Sequence, residues 1–166
     1  MCSDALKRTR LVGVSFTMDT SFINSIAWGE LEHAYGSAQD SPHHLMNLIK
    51  GDEDEIDEAV FGFLHGSACH QYSTYSSTPF IVRSVVSILN LKYFEIEQTS
   101  EILGFIHACT HSAKEKIELR KEIINGSECF KKYLKHSDPK VVKNAKELIT
   151  FCEINGAKEN LSLIHI

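Results

Sequence analysis

The hexapeptide VFGFLH at Val60–His65 returns as ILGFIH at Ile102–His107, 42 residues further along the chain. A partial third copy follows at Leu148–Phe151, which starts 46 residues after Ile102. Self-similarity with a period of roughly 20 to 50 residues is typical of stacked helical repeats. One helical hairpin cannot bury its own apolar face, so neighbouring hairpins must pack on one another. The hexapeptides therefore predict a repetitive, all-α protein.

Matching positions in the two hexapeptides predict matching roles in the helices that carry them. We expect Phe63 and Phe105 to be core residues and Gly62 and Gly104 to lie at close approaches between helices. We expect His65 and His107 to have a structural role and not to be ligands.

Composition bounds the class of protein. The chain has 166 residues, of which 43% are hydrophobic, enough for one domain with a core. No apolar run reaches the roughly 18 residues that a membrane span needs. Five scattered cysteines without a C-x-x-C pair favour reduced thiols. We therefore expect a cytoplasmic protein.

Charge is distributed unevenly along the chain. Residues 1–90 carry 5 basic and 11 acidic side chains, and residues 91–166 carry 12 and 11. This balance lacks the clustered basic patch that is typical of nucleic-acid-binding proteins. The acidic first half, with a net charge of −6, favours a basic protein partner instead.

Cap residues and apolar spacing predict three helix pairs, with starts near residues 42 and 58, 79 and 96, and 115 and 139. Each of Ser41, Thr78 and Asp138 precedes a proline, as at many helix starts. Gly51 and the Asn155-Gly156 pair predict helix ends. The acidic run Asp52–Glu58 fits a helix N-terminus, where the helix dipole favours carboxylates, although an acidic docking patch is the alternative.

The two ends of the chain are expected to lie outside the repeat domain, which we place at 21–160. Residues 1–20 predict a loosely attached tail. Residues 161–166, LSLIHI, are what one frame of a common transposon-end sequencing adapter encodes. We therefore expect these six residues to be a sequencing artefact rather than native sequence.

Aromatic and apolar residues near the start of this domain suggest a cap. Trp28, Leu31 and Tyr35 have the i, i+3, i+7 spacing of one helical face. Solenoids need terminal caps with a polar outer face. The spacing therefore predicts an N-terminal capping helix.

The segment from Ser137 to Leu148, SDPKVVKNAKEL, resembles the second-helix signature of HEAT repeats. Trp28–Ala38, His70–Tyr75 and Pro79-Phe80 look similar to a group of uncharacterised bacterial HEAT-repeat proteins, which usually have glycine where this chain has Tyr72. The resemblance implies an armadillo-type, right-handed α-α superhelix of about three helix pairs plus the capping helix. It implies no established activity. Some such proteins resemble those encoded beside secreted toxins, which implies an immunity-type role.

The candidate partner-binding residues lie before two of the predicted helices. Loops between repeats often line the binding face of a solenoid, and tyrosine and histidine are common in protein interfaces. The alternatives are structural: His70 and Gln71 could satisfy carbonyls at helix ends, and Glu32 and His33 could fix the cap. The candidates are Glu32, His33, His70, Gln71, Tyr72 and Tyr75.

Metal and catalytic sites find little support in the sequence. His107 and His111 have i, i+4 spacing, but zinc needs three or four ligands. The chain has no G-x-S-x-G, Walker or G-x-G-x-x-G motif, and adjacent Cys69 and His70 rarely form a thiolate–imidazole pair. We expect no catalytic residue, no metal and no cofactor.

Two functions remain. The first is a non-enzymatic protein–protein interaction module that binds its partner through one solenoid face. The alternative is a HEAT-scaffold enzyme acting on nucleic acid, of the DNA glycosylase kind, which would need a basic face. The lysines that could form such a face are Lys131, Lys132, Lys135, Lys140, Lys143 and Lys146, interleaved with Glu128, Asp138 and Glu147.

Overall fold

The computed structural model describes residues 20–163, with side chains described for 20–160. This part of the chain is mostly helical, which confirms the all-α prediction. The predicted tail (1–20) lies outside it except for Thr20, and so does the end (164–166) of the predicted artefact. The helices are α1 (Ser21–Ser25), α2 (Ser41–Lys50), α3 (Glu53–Asp57), α4 (Thr78–Leu91), α5 (Ile96–Ala113), α6 (Ile117–Asn125), α7 (Ser127–Lys131) and α8 (Pro139–Leu163).

Three shorter features complete the chain. A π-helical segment, Glu58–Ala68, continues α3 without a break, and a 3₁₀ turn spans Trp28–Glu30. Two antiparallel hairpins each consist of two very short strands. Hairpin 1 is β1 (Glu32–His33) with β2 (Gly36–Ser37), and hairpin 2 is β3 (Cys69–His70) with β4 (Ser73–Thr74).

The longer helices lie in two layers. In one layer α4 contacts both α2 and α6. In the other layer α5 contacts both the π-helical segment and α8. Helices of the two layers meet where α2 packs on the π-helical segment and where α6 packs on α5 and α8. The buried residues between them form one continuous apolar core.

The helices with proline near their start begin where they were predicted to within one residue, but Ser41 and Thr78 are the first residues of α2 and α4 and not their caps, which are Asp40 and Ser77. Asp52 accepts the backbone N–H of Glu55, while the Glu55 carboxylate accepts the N–H of Asp52, which makes a capping box. The acidic run therefore acts at least partly as a helix cap, because two of its carboxylates satisfy backbone donors. Asp138 caps α8 without a capping box, since its carboxylate accepts from the N–H groups of Lys140 and Val141.

The predicted capping helix across Trp28–Tyr35 is wrong. Trp28 is buried and donates its indole N–H to the Ile23 carbonyl, but the chain forms only one 3₁₀ turn there. The backbone then reverses direction through Gly36, whose φ of +111° is open to glycine at little cost. Tyr35 consequently projects from hairpin 1 and is 71% exposed.

Two further predictions, of a loop and of a helix end, differ from the structure. The segment from Gly66 to Ser77, whose many polar side chains predict a loop, instead ends the π-helical segment and forms hairpin 2. The predicted stop at Asn155-Gly156 is absent, and α8 continues through both residues to Leu163. A glycine lowers helix stability by only about 1 kcal/mol, which packing of a long helix can outweigh.

The hexapeptide positions agree with the core prediction but not with the glycine prediction. Phe63 and Phe105 are both buried. A Cβ atom on Gly104 would lie 3.6 Å from Nδ2 of Asn144, an ordinary contact. A Cβ atom on Gly62 would meet only Glu58 of its own helix, at 3.7 Å. Neither glycine is therefore required by a close approach between helices.

Candidate functional site

The two hairpins are equivalent parts of a repeated unit. His33 and His70, Tyr35 and Tyr72, and Pro42 and Pro79 are each 37 residues apart. Each hairpin precedes a helix with proline near its start, α2 or α4. This 37-residue spacing is the sequence signal that identifies Tyr35 as the counterpart of Tyr72. The helical spacing of Tyr35 from Trp28 and Leu31 concealed that relationship.

The loops of the two hairpins differ in backbone conformation. In hairpin 2, Gln71 and Tyr72 have φ of 48° and 67°, as the two central residues of a type I′ turn require. Asparagine and glycine normally occupy such positions. In hairpin 1 the positive φ falls on Gly36 instead. Hairpin 2 therefore holds an aromatic residue in a conformation that costs roughly 1–2 kcal/mol.

Each hairpin tip contacts a histidine of the following unit through its tyrosine. The ring centroids of Tyr35 and His70 are 6.0 Å apart in an edge arrangement. Those of Tyr72 and His111 are 4.6 Å apart in a tilted arrangement. The tyrosine rings nevertheless remain open, since Tyr35 is 71% and Tyr72 60% exposed. We call Tyr35, His70, Tyr72 and His111 the tip edge.

Hairpin 1 is held by the unit that follows it. The Glu32 N–H donates to Ser76 Oγ at 2.8 Å. The Glu32 carbonyl accepts from Ser77 Oγ at 2.7 Å and from its N–H at 3.2 Å. The Ala34 N–H adds a bond of 3.0 Å to the carbonyl of Ser67.

Hairpin 2 is held in an equivalent way. Lys116, just before α6, donates from Nζ to the carbonyl of Thr74 at 2.7 Å and to its hydroxyl at 2.9 Å. Ser112 at the end of α5 donates its hydroxyl to the Tyr72 carbonyl at 2.9 Å. Because both tips are anchored on later helices, the tip edge is a fixed surface.

The first two predicted site residues lie on β1 and have different environments. The side chain of Glu32 is exposed, and only its backbone is used in the hairpin. His33 is buried, with Nε2 2.9 Å from Asp40 Oδ1 and Nδ1 accepting the Tyr35 N–H at 3.1 Å. Both ring nitrogens thus serve the hairpin itself, and we leave His33 out of the binding surface.

The remaining predicted residues lie on or just after hairpin 2. His70 donates from Nδ1 to the Gly66 carbonyl at 3.1 Å, as the helix-end alternative required, while its ring also contacts Tyr35. Gln71 is exposed at the tip beside Tyr72. Tyr75 is half-buried, and its N–H donates to Thr78 Oγ1 at 2.8 Å. Gln71 and Tyr72 are therefore the most accessible of the four.

A cleft of about 390 Å³ adjoins the second tip. Its lining includes Cys69, which is buried and whose thiol interacts with that of Cys109. That interaction, the Tyr72 N–H and nearby Lys116 lower the pKa of Cys69 against the opposing effect of burial. Burial raises the pKa of Cys109. The lining residues are His65, Cys69, Gln71, Tyr72, Gly104, His107, Ala108 and His111.

The hexapeptide histidines pair with carboxylates on the next helix of their layer. His65 Nε2 lies 3.4 Å from Glu101 Oε2 and 2.9 Å from the Glu101 carbonyl oxygen. His107 Nε2 lies 3.3 Å from Glu147 Oε2. These contacts join the π-helical segment to α5 and α5 to α8, in agreement with the predicted structural role.

Two histidines of this surface lie close to each other without forming part of a metal site among the described residues. His107 and His111 have ring centroids 6.1 Å apart. Within residues 20–160, no three histidine, cysteine, aspartate or glutamate side chains are grouped so that they could hold a metal ion.

Among the helices that the structure describes, none is both long and apolar enough to cross a membrane.

The predicted lysine face is partly occupied by internal contacts. Lys131 is paired with Glu128, and Lys140 with Glu101. Lys132 donates to the side-chain oxygen of Asn90. Half of the six lysines are therefore engaged, which weakens this face as a phosphate-binding surface.

Comparison with known proteins adds no assignment to this geometry. No family model, curated protein or solved structure matches the chain. The exposed and fixed tip edge is therefore the surface on which a functional assignment must rest.

Proposed function

We propose that this protein is a non-enzymatic binding module that holds a protein partner on its tip edge. The exposure of Tyr35 and Tyr72 on two anchored hairpins carries the proposal. Tyrosine is enriched in protein interfaces because it offers a large apolar area together with a hydrogen-bonding hydroxyl. A side chain on a fixed backbone loses less entropy when it binds. Gln71 and the exposed faces of His70 and His111 extend the surface.

Backbone strain at the second tip supports this proposal. Residues held in sparsely populated backbone regions tend to cluster at functional sites, where the surrounding structure enforces them. Tyr72 adopts a φ of 67°, a position that glycine would occupy without strain. A tyrosine at this position is unfavourable for the turn but useful for a partner that contacts the ring.

The charge around hairpin 1 suggests the chemistry of the partner. Glu30 and Glu32 are exposed next to the tip of Tyr35, and residues 1–90 carry a net charge of −6. Such a surface attracts a basic partner and accelerates association at low salt. An immunity-type factor that blocks a basic toxin would fit this description.

We further propose that the helices belong to a HEAT-like, right-handed superhelix of about three pairs. The side-by-side order of α2, α4 and α6, and of the π-helical segment, α5 and α8, supports this arrangement. Recurrent His65–Glu101 and His107–Glu147 contacts support it as well, since each joins successive units. In such an array the tip edge would run along one side of the stack.

Quantitative affinity capture from the source cell tests the binding proposal. The bait proteins are the wild type, the double variant Tyr35→Ser/Tyr72→Ser, and the control Tyr93→Ser. Tyr93 is 98% exposed and lies beyond the other end of α4, which by helix geometry is about 20 Å long. We expect one protein to be enriched by the wild type and by the control and to be lost with the double variant.

Three outcomes would contradict the proposal. The first is that no protein is enriched, and the second is equal enrichment by all three baits. The third is the copurification of nucleic acid in place of a protein, which would favour the alternative function. If one protein is captured as expected, it should bind the purified wild type with an affinity that falls as the salt concentration rises, because salt screens the charges at the rim of the interface.

A further inference from the structure

A larger cleft, of about 920 Å³, lies between the end of α5, the start of α6 and α8. Its apolar surface includes Phe151 and Ile154, and Ile154 is 53% exposed. Exposed apolar side chains inside a concave site are typical of small-molecule pockets, which measure roughly 300–1,000 Å³. We call this space the α5–α8 cleft.

The charges in the α5–α8 cleft do not cancel. Glu147 is paired with His107, and Glu159 with Arg120 at 3.2 Å. Arg120 also donates to the carbonyl of Lys114, so its guanidinium is committed to the local structure. With histidine counted as neutral, the cleft holds two carboxylates against four cationic side chains, one arginine and three lysines.

Three lysines of the cleft have no ion-pair partner among the described residues. Lys114, Lys146 and Lys158 line it from α8 and from the residue after α5. Within the described part of the chain their ammonium groups have no ion pair or side-chain hydrogen bond. The chain as a whole carries a net charge of −5, so this local surplus of positive charge stands out.

We propose that the α5–α8 cleft binds a small organic anion: an aromatic or aliphatic body that carries one carboxylate, sulfonate or phosphate group. The body would pack on Phe151 and Ile154, and the anionic group would lie beside one of the three lysine ammonium groups, since Lys146 and Lys158 are about 18 Å apart along α8. The Thr150 hydroxyl at the same wall is exposed and can donate a hydrogen bond. Each side of the ligand would thus meet matching chemistry.

A single anionic group fits better than a polyanion. A nucleic-acid strand brings one charge per phosphate and would place several of them close to Glu147 and Glu159. Each like-charge contact of this kind is unfavourable. A compact ligand can reach one of the lysines without approaching both carboxylates. The α5–α8 cleft adjoins the proposed partner surface, because His111 belongs to the tip edge and also lines the cleft; His107 and His111 border the cleft beside Tyr72 as well.

Fluorescence titration with 8-anilinonaphthalene-1-sulfonate tests the site, because this probe joins a sulfonate to an apolar body. Its neutral analogue, N-phenyl-1-naphthylamine, lacks the sulfonate. We expect saturable 1:1 binding of the sulfonate, weaker binding of the neutral analogue, and weakening of the sulfonate complex by salt. The double variant Lys146→Gln/Lys158→Gln should lower sulfonate affinity about tenfold and leave the neutral analogue unaffected.

Two further variants separate the charge from the apolar surface. Lys50→Gln/Lys135→Gln removes two exposed lysines outside the cleft and should leave both titrations unchanged. Ile154→Asn should weaken both probes, and circular dichroism checks that each variant is folded. Unsaturable binding, equal affinity for the two probes, or a Lys146→Gln/Lys158→Gln variant that binds like the wild type would overturn the proposal.

Discussion

Nε2 of His107 on α5 lies 3.3 Å from the carboxylate of Glu147 on α8, and both residues border the α5–α8 cleft. The contact repeats the one that His65 makes with Glu101 one unit earlier. In the earlier contact the imidazole also bonds the Glu101 carbonyl and meets the edge of Phe105. The repeated histidines therefore hold successive helices with unequal strength.

This difference predicts unequal effects of truncation. His65→Ala should lower the free energy of unfolding by about 1–2 kcal/mol, because the hydrogen bond to the Glu101 carbonyl is lost together with the carboxylate contact. His107→Ala should lower it by about 1 kcal/mol or less, as for other half-exposed ion pairs. Urea denaturation of the two variants measures both values. A larger loss for His107→Ala would contradict the assigned contacts.

Glycine substitutions should distinguish tolerated from obligatory positions. A Cβ atom on Gly126, between α6 and α7, would lie 2.6 Å from the Phe130 ring and 3.1 Å from Val86. Gly126→Ala should therefore cost about 1–3 kcal/mol through overpacking. Gly104→Ala, at an ordinary contact distance, should be neutral or stabilising because alanine favours helix. Thermal and urea unfolding of both variants provide the comparison.

The strain at the second hairpin tip can be released without disturbing the fold. Tyr72→Gly removes a side chain from a left-handed position, so stability should be unchanged or rise by up to about 1 kcal/mol. Tyr35 has no positive φ, and Tyr35→Gly should therefore lower stability by about 0.5–1 kcal/mol. Partner binding should weaken in both variants. A marked loss of stability in Tyr72→Gly would show that its ring is mainly structural.

Acid should destabilise the fold through His44. Its ring stacks on Phe63 at 4.5 Å, and its buried Nδ1 has no hydrogen bond within the described residues. Burial is the main cause that lowers the pKa of His44. Neighbouring groups act in both directions: Asp40 and Glu58 raise this pKa, while His43 and His33 lower it.

The sign of this effect follows from the lowered pKa. The unfolded chain binds the proton more tightly, so the contribution is complete above the unfolded value of about 6.5 and is lost as the pH falls below it. We expect His44→Phe to lose less stability than the wild type between about pH 7.5 and about pH 5. His43→Phe, at an exposed neighbour, should change the profile much less, because His43 is only a lesser cause of the lowered pKa of His44. Parallel profiles for His44→Phe and the wild type would contradict the prediction.

Thiol labelling should separate the cysteines. Burial raises the pKa of both Cys129 and Cys152 to about 11, so their thiolate fractions are very small near neutral pH. Cys69 has a lowered pKa and borders a cleft. In a Cys2→Ser background, iodoacetamide should modify Cys69 first, as mass spectrometry of peptides can show. Faster labelling of Cys129 or Cys152 would contradict this order.

Much of the helical framework could be predicted from local chemistry. Asp52, Asp138 and the prolines near the starts of α2 and α4 mark helix starts, because capping depends on residues that are close in sequence. The hairpins were not predicted, because strands of two residues are too short to show an alternating apolar and polar pattern. Tyr35 satisfied a helical spacing only by coincidence, since the turn at Gly36 depends on a positive φ.

The candidate site was only partly predictable for a related reason. Gln71 and Tyr72 stood out as polar and aromatic residues before a helix start. His33 was a candidate because of its residue type, but it is buried in hairpin 1 and contacts Asp40, seven residues further along the chain. His111 joined the tip edge through tertiary packing against Tyr72. No local pattern announces a contact between residues of different units.

The hydrogen bonds from Lys116 and Ser112 to hairpin 2 have a consequence for how such a surface can change. The tip displays residues of one unit, yet its orientation is set by the next. Exchanging a unit for another would therefore alter the presentation of a tyrosine that the exchange never touched. Selection for a new partner could act at the junctions and leave the contacting side chains as they are.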